Sequence, residues 1–437
     1  TEKLYVGSFM SSKADSKVQS AKTIVGHISG AFGQLVHEMN LIFIIGFIPS
    51  ILCQCSVEKA KPQFSRSVFD FAVDLAMRIA EEKESHFVTS TLSPWALLAC
   101  ISLGATDKTL AELKDVLQLN GHSCFNNKFL EIVKSINSYS SSDVTVERSS
   151  MIFTDENLPI RRYFKETIEK KGVSDFRNVS FNNPNLAASI INNYVSKATH
   201  NTIEEVVSPG DLEDIVMMVI DGIFFKGTWS TPFRKEETEV SAFYNDKGMQ
   251  TGDVNLMFLQ DIFYCKEVEA IEARVLELPY GSDERYAALI FLPYADVSLF
   301  RVIEKLKLIT LTTIYKLFEG RGKELVVVQL PRFKMTTNLS NLKELLSDMG
   351  LRTMFDNAQA SFTKISPYEL SVSDFFQKAD IEVNEEGTTA SAVSGAGFVS
   401  RSYPEKFTAN KPFLFMIIDK EFKVPLFTGA YSKPSVY

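Results

Sequence analysis

The chain has 437 residues, 45% of them hydrophobic and 23% charged, with a formal net charge of −8. That supplies apolar side chains for a large core, on a length prior of roughly two to three domain-sized units or one large mixed fold. The Lys and Arg residues are scattered without a long basic run, which argues against the clustered positive surface that nucleic-acid binding needs.

In chain order, the first feature is the apolar stretch MNLIFIIGFIPSILCQC, residues 39–55. Its centre, Leu41 to Leu52, is too short to cross a bilayer as a helix but suits the hydrophobic region of a secretory leader. Cys53 and Cys55 are small enough for cleavage before Ser56, so residues 39–55 are expected to be a signal peptide and the product to be secreted. Residues 1–38 then read as an N-terminal extension outside the mature protein. Three cysteines remain, Cys100, Cys124 and Cys265, so at least one thiol is free and disulfides are not the main staple. Two sequons, Asn178-Val-Ser180 and Asn338-Leu-Ser340, are candidate glycan sites in an exported chain.

From residue 56 onward there is no Gly/Pro-rich linker and no internal repeat, which points to one intertwined α+β domain over 56–437. Val68, Phe69, Phe71, Ala72, Leu75, Ala76 and Ile79 recur at helical spacing and predict a helix over 67–82. A second helix is predicted from Ser93-Pro94-Trp95 to near Gly104, and a third over 109–119. Strands are predicted at 144–153, 216–225, 274–280, 286–292, 325–330, 381–383, 412–418 and 424–430.

No catalytic constellation emerges. His86, His122 and His200 sit in charged or turn-like settings, and Gly-x-Ser-x-Gly, phosphate cradles and His/Glu metal motifs are missing. Gly320-Arg-Gly-Lys-Glu reads as a tight turn. No enzyme activity, metal or cofactor is expected.

The segment after Glu385-Glu386 is of another kind: Gly387, Thr388, Thr389, Ala390, Ser391, Ala392 and on to Gly397 carry small side chains and no charge. Counted by twos, either face could enter the middle of a sheet without a clash or a buried charge. Gly387 supplies a hinge. A loop of Gly, Ser and Ala is the ordinary reading of such composition, but here it directly continues the strand-like Ala379-Asp-Ile-Glu-Val. Arg401 follows, the one basic residue between Gly387 and Lys406. A trypsin-like protease takes such a side chain into an aspartate-floored pocket and cuts after it.

Several motifs arrive in one order. They are Ser93-Pro94 with Gly104-Ala105-Thr106, then Ile191-Asn192-Asn193-Tyr194-Val195 with Thr199, then Ile223-Phe224-Phe225-Lys226-Gly227-Thr228-Trp229 with Phe233. Leu276-Glu277-Leu278-Pro279-Tyr280, Leu330-Pro331-Arg332-Phe333, Asn410-Lys411-Pro412-Phe413-Leu414-Phe415 and Leu426-Phe427-Thr428-Gly429 complete them. Over residues 64–437 the chain resembles the serpins, a family of serine protease inhibitors.

The resemblance implies an α+β fold with three β-sheets, about nine helices and an exposed reactive-centre loop over about 385–409. It further implies a monomeric suicide substrate of a trypsin-like serine protease. Cleavage falls at Arg401–Ser402, with Phe398, Val399, Ser400 and Tyr403 meeting the protease subsites. The loop then inserts into the main sheet and traps the acyl-enzyme. Ser93, Asn192, Asp221 and Gln377 are implied to control sheet opening. Asp221-Gly222 stands where the family usually has Asn-Ala, Gln377 where it commonly has His, and Thr389 where the hinge often has Glu. Loop, leader and sequons most resemble arthropod haemolymph serpins, some of which restrain clip-domain proteases in melanisation or Toll signalling. Heparin-type activation is disfavoured, since residues 126–142 offer Lys128 and Lys134 alone. The other class of function is a non-inhibitory serpin acting as a ligand carrier or chaperone.

Overall fold

The computed structural model describes residues 55–198, 204–213, 215–387 and 404–437. Along them run nine α-helices and fifteen strands. The chain begins with α1 (Val57–Glu82), β1 (Phe87–Ser90), α2 (Leu92–Ser102), α3 (Asp107–Val116) and α4 (Ser123–Asn137). It continues with β2 (Val144–Asp155), α5 (Arg162–Lys171), β3 (Asp175–Val179), α6 (Pro184–Ala198) and β4 (Met217–Gly227). Then come β5 (Glu239–Tyr244), β6 (Gln250–Phe263), β7 (Cys265–Val268), β8 (Ala273–Tyr280), β9 (Tyr286–Pro293), α7 (Leu299–Lys305) and α8 (Leu311–Arg321). Last are β10 (Glu324–Pro331), β11 (Phe333–Leu339), α9 (Leu342–Asp348), β12 (Asp374–Val383), β13 (Glu405–Thr408), β14 (Phe413–Asp419) and β15 (Val424–Tyr431).

Helix α1 starts well before the predicted residue 67. The Ser56 side chain caps it by accepting from the Lys59 N–H at 3.3 Å, and Ala60 and Phe64 extend the buried stripe of Val68, Phe71 and Leu75. Lys59 and Lys61, followed by Pro62, disguise the start of this helix in the sequence. Helix α2 is buried at every position, so it carries no polar face and sits inside the core. Its Trp95 packs edge-on against Phe64 at 5.4 Å and donates to the Leu117 carbonyl at 3.2 Å.

The strands form three sheets, as the serpin resemblance implies. One has six strands in the order β1-β15-β14-β9-β8-β7, one has four, β13-β10-β6-β5, and one has five, β11-β12-β4-β2-β3. Strands β9, β14 and β15 are buried along their whole length, which explains their unbroken apolar sequences. The five-stranded sheet turns one face to the main core. Helix α6 covers part of the other, packing Ala187, Ala188, Ile191 and Val195 onto Met151, Phe153, Met218, Ile220 and Phe376.

Strand β12 is far longer than the predicted 381–383. Phe375 faces the main core while Phe376 lies under α6, so both faces are covered and the apolar/polar alternation that marks a half-buried strand is lost.

Cys100 and Cys265 are free, buried thiols, whereas Cys55 and Cys124 are disulfide-bonded. Burial pushes the Cys100 thiol up to about 12 and the Cys265 thiol up to about 11, the latter against the opposing charge of Arg274. Since the thiolate is the reactive form, iodoacetamide at pH 8 is expected to leave both unlabelled in the native protein and to label both after denaturation, read by peptide mass spectrometry. Rapid native labelling of either would contradict this packing.

Candidate functional site

The feature that sets the five-stranded sheet apart is an incomplete seam. Strands β12 and β4 are parallel neighbours, paired from Asp374–Met218 to Ala379–Ile223. Residues 380–383 and 224–227 continue as strands but do not pair with each other. A cavity of about 200 Å³ lies between them, lined by Phe225, Gly227, Trp229, Ile381, Val383 and Gly387. The sheet is zipped below and parted at its head.

The hinge residues close this opening. The Asn384 carbonyl accepts from Trp229 Nε1 at 2.9 Å, and the Glu386 carbonyl from the Trp229 N–H at 3.4 Å. Glu385 is 2% exposed; its carbonyl accepts from the Phe233 N–H at 2.9 Å. Its carboxylate accepts from the Thr238 hydroxyl at 2.8 Å and pairs with Arg332 at 3.4 Å. Glu386 pairs with Lys235, whose ammonium this hydrogen bond and charge hold above its usual range. Trp229 is itself held by a 4.3 Å stack on Tyr280. Gly387 is left-handed, with φ of 68°, and a Cβ there would collide with the Trp229 N and the Gly227 carbonyl. No other residue type fits both requirements.

Lower in the same seam sits a buried polar cluster. Asp221, 1% exposed, accepts through Oδ1 from the Ser93 hydroxyl at 2.5 Å and the Ser150 hydroxyl at 2.7 Å. Its Oδ2 accepts from Gln377 Nε2 at 3.0 Å. Gln377 is fully buried: Nε2 also donates to the Ser90 carbonyl at 3.1 Å, while Oε1 accepts from the Thr89 hydroxyl at 2.5 Å and the Ser90 N–H at 3.1 Å. Two of the departures from the family pattern, Asp221 and Gln377, therefore face each other across the seam. An acceptor-only carboxylate on β4 meets an amide on β12 that supplies the donor.

Ser93, Asp221 and Gln377 are thus brought together, joined by Thr89, Ser90 and Ser150, which sequence reasoning missed. No local signal marks these three; only the folding of β1, α2 and β2 onto the seam does. Asn192 lies elsewhere. On α6 it accepts from the Val206 and Val207 N–H groups at 2.9 and 3.1 Å and donates to the Val207 carbonyl at 2.8 Å, pinning the chain that returns from the helix. Arg332 and Trp229 belong to quoted motifs, yet their contacts with the hinge were not foreseen. Thr388, Thr389, Ala390, Ser391, Ala392, Phe398, Val399, Ser400, Arg401, Ser402 and Tyr403 lie outside the described residues.

The segment between residues 387 and 404 joins two different sheets. It leaves the head of β12 in the five-stranded sheet and enters β13, which pairs in parallel with β10 in the four-stranded one. Arg274 secures that far end, donating to the Lys406 carbonyl at 2.6 Å and pairing with Glu405 at 3.2 Å.

The family model that describes serpins, serine protease inhibitors, matches residues 66–434. The chain belongs to the serpin family. It is 30% identical over 372 residues to a leukocyte elastase inhibitor of Xenopus tropicalis, covering 83% of this chain and 97% of the relative. Its fold is similar to that of serine protease inhibitor (serpin)-12 of Manduca sexta, with a TM-score of 0.74 at 25% identity, covering 85% of this chain and 99% of the other. It is also similar to native protease nexin-1 with heparin, with a TM-score of 0.75 at 26% identity, covering 87% and 100%. Inhibitors of proteases are thus among the relatives of this serpin.

The seam cluster makes a specific mutational statement. Asp221→Asn would set an amide N–H either against Gln377 Nε2 or, turned over, onto the Ser93 and Ser150 hydroxyls, whose protons then lose their shared acceptor, and turning the Gln377 amide over would in turn oppose the Ser90 N–H. Leaving one buried donor unsatisfied is expected to lower stability by about 1–3 kcal/mol, seen as a lower native melting temperature. Adding Gln377→His, which offers a ring nitrogen as acceptor, should restore part of that loss. An unchanged melting temperature for the single variant would show that the amide pair does not govern the seam.

Proposed function

We propose that this serpin is a secreted inhibitor of trypsin-like serine proteases that is cleaved after Arg401. The observation that carries the reading is the seam of the five-stranded sheet, parted at the residue from which the reactive segment departs. The protease serine attacks the Arg401 carbonyl, the bond to Ser402 breaks, and Ser402 leaves as a free amine while Arg401 stays esterified to the enzyme. Loop insertion is the established transition of the family. It requires a metastable starting state held by kinetics rather than equilibrium.

The geometry suits that transition in three ways. A chain turning back at Gly387 would run antiparallel to β12 and to β4, replacing one parallel pairing with two antiparallel ones, which are slightly more stable per residue. Residues 388–397 match β12 residue for residue in length, and all are small or uncharged. The anchoring of β13 in another sheet means that full insertion needs the loop to be cut first. The seam below Ala379 must then unzip, breaking the Asp221–Gln377 contact.

An extracellular setting follows from the leader-like stretch at 39–55. The disulfide held by Cys55 favours a cut on its N-terminal side over one before Ser56. Regulation of clip-domain protease cascades is the setting that the insect-like loop suggests. Polysaccharide-independent action is favoured by α4, where Lys128 pairs with Glu131 at 2.7 Å and Lys134 donates to the Lys170 carbonyl at 3.2 Å.

Incubation with trypsin is expected to give an SDS-resistant complex, and Arg401→Ala to abolish it. Clean cleavage without a complex, together with no rise in melting temperature on cleavage, would instead favour a non-inhibitory carrier or chaperone. Ala390→Glu should convert the inhibitor into a substrate, because a carboxylate would be carried into the sheet. Equal inhibition by that variant would rule out the insertion step as drawn.

A further inference from the structure

Both sequons fall on strands at the two outer edges of the same sheet. Asn178 is on β3 and Asn338 on β11, the first and last strands of the order β11-β12-β4-β2-β3. Such strands present unpaired backbone N–H and C=O groups that can template pairing with another chain. Nothing in the spacing of the sequons along the sequence, 160 positions apart, hints at this arrangement.

Each asparagine is sterically and chemically ready for modification. Asn178 is exposed, and its Oδ1 accepts from the Thr154 hydroxyl at 3.2 Å, an arrangement that orients the amide and leaves Nδ2 for the sugar. Asn338 is exposed on an alternating strand whose Phe333, Met335, Thr337 and Leu339 point inward. Ser340, which completes its sequon, is exposed as well, and Ser180 is half-buried. Neither strand borders the seam: β12 stands between β11 and the seam, and β2 and β4 stand between β3 and the seam.

We propose that N-linked glycans on Asn178 and Asn338 cap the two edges of the five-stranded sheet and block edge-to-edge association, while leaving the β4–β12 seam free to open. The inference rests on the extracellular reading above. The donor is a lipid-linked oligosaccharide diphosphate: Asn Nδ2 bonds to C1 of the first N-acetylglucosamine, the C1–O bond to the diphosphate breaks, and the amide loses one proton. Bulky, hydrated sugars at both edges would exclude a neighbouring strand from either side.

The test expresses the full chain behind a heterologous secretion leader in insect cells, so that its outcome does not depend on residues 39–55. Enzymatic deglycosylation in ¹⁸O water is expected to mark both Asn178 and Asn338 as labelled aspartates by peptide mass spectrometry. The double variant Ser180→Ala, Ser340→Ala removes both glycans but keeps both asparagines and the Thr154 contact. On mild warming it is expected to form at least roughly twofold more dimer and higher oligomer than the glycosylated protein by size exclusion, while trapping trypsin equally well. An unlabelled site, or a double variant that stays as monomeric as the parent, overturns the proposal. Failure of both proteins to trap trypsin would count against the inhibitory reading alone, since occupancy and oligomer content are read independently of it.

Discussion

The whole molecule is organised around one partial pairing, the parallel ladder between β4 and β12 that stops at Ala379 and Ile223. Two strands that are both long enough to pair further are instead held apart at their heads by Trp229, its Tyr280 support and the turn at Asn384–Gly387. A finished ladder would leave no place for another strand. An open one would expose apolar Phe225, Ile381 and Val383 to water. The observed compromise keeps a small cavity covered by a turn held through hydrogen bonds and two ion pairs rather than by a continuous ladder.

The locks on this seam differ in kind. At the head, the ion pairs of Glu385 and Glu386 involve Arg332 and Lys235, which are partly solvent-exposed, so screening limits what they contribute. The backbone and indole bonds to residues 384–386 and the collision-limited fit of Gly387 define the geometry there. Midway down, the Asp221–Gln377 contact is shielded from water, and each partner is satisfied by several donors or acceptors. Buried polar groups of this kind are costly when broken singly and cheap when exchanged as a matched pair. This explains how the chain departs from the family pattern at Asp221 and at Gln377, one on each strand, without leaving an orphaned group between them.

The same sheet has to be mobile in its middle and inert at its rims. Its outer strands β3 and β11 are short and carry polar side chains such as Arg177 and Lys334 toward solvent. Its interior strands are covered on both faces over much of their length, by the core on one side and α6 on the other. Burial thus concentrates where the sheet must reopen, and polarity where it must not extend.

Much of the architecture was legible beforehand. Strands β2, β4, β8, β9, β10, β14 and β15 fall within two residues of their predicted ends, because stretches rich in β-branched and aromatic residues bounded by polar turns leave little choice. The stripe of α1 was visible from Val68 onward but hidden before it, where Pro62 and lysines interrupt the pattern. Strand β12 was mostly missed, since coverage of both faces removes the period-two signal. The small, uncharged run after Glu386 and the solitary Arg401 are properties of the sequence alone, fixed by residue type and independent of how anything packs. What only the tertiary structure decided is which distant groups meet: Asp221 with Gln377, Glu385 with Arg332, Asn178 and Asn338 on opposite rims. Such contacts join residues tens to hundreds of positions apart, and no local periodicity carries information about a hydrogen bond across a seam between strands that the fold alone makes neighbours.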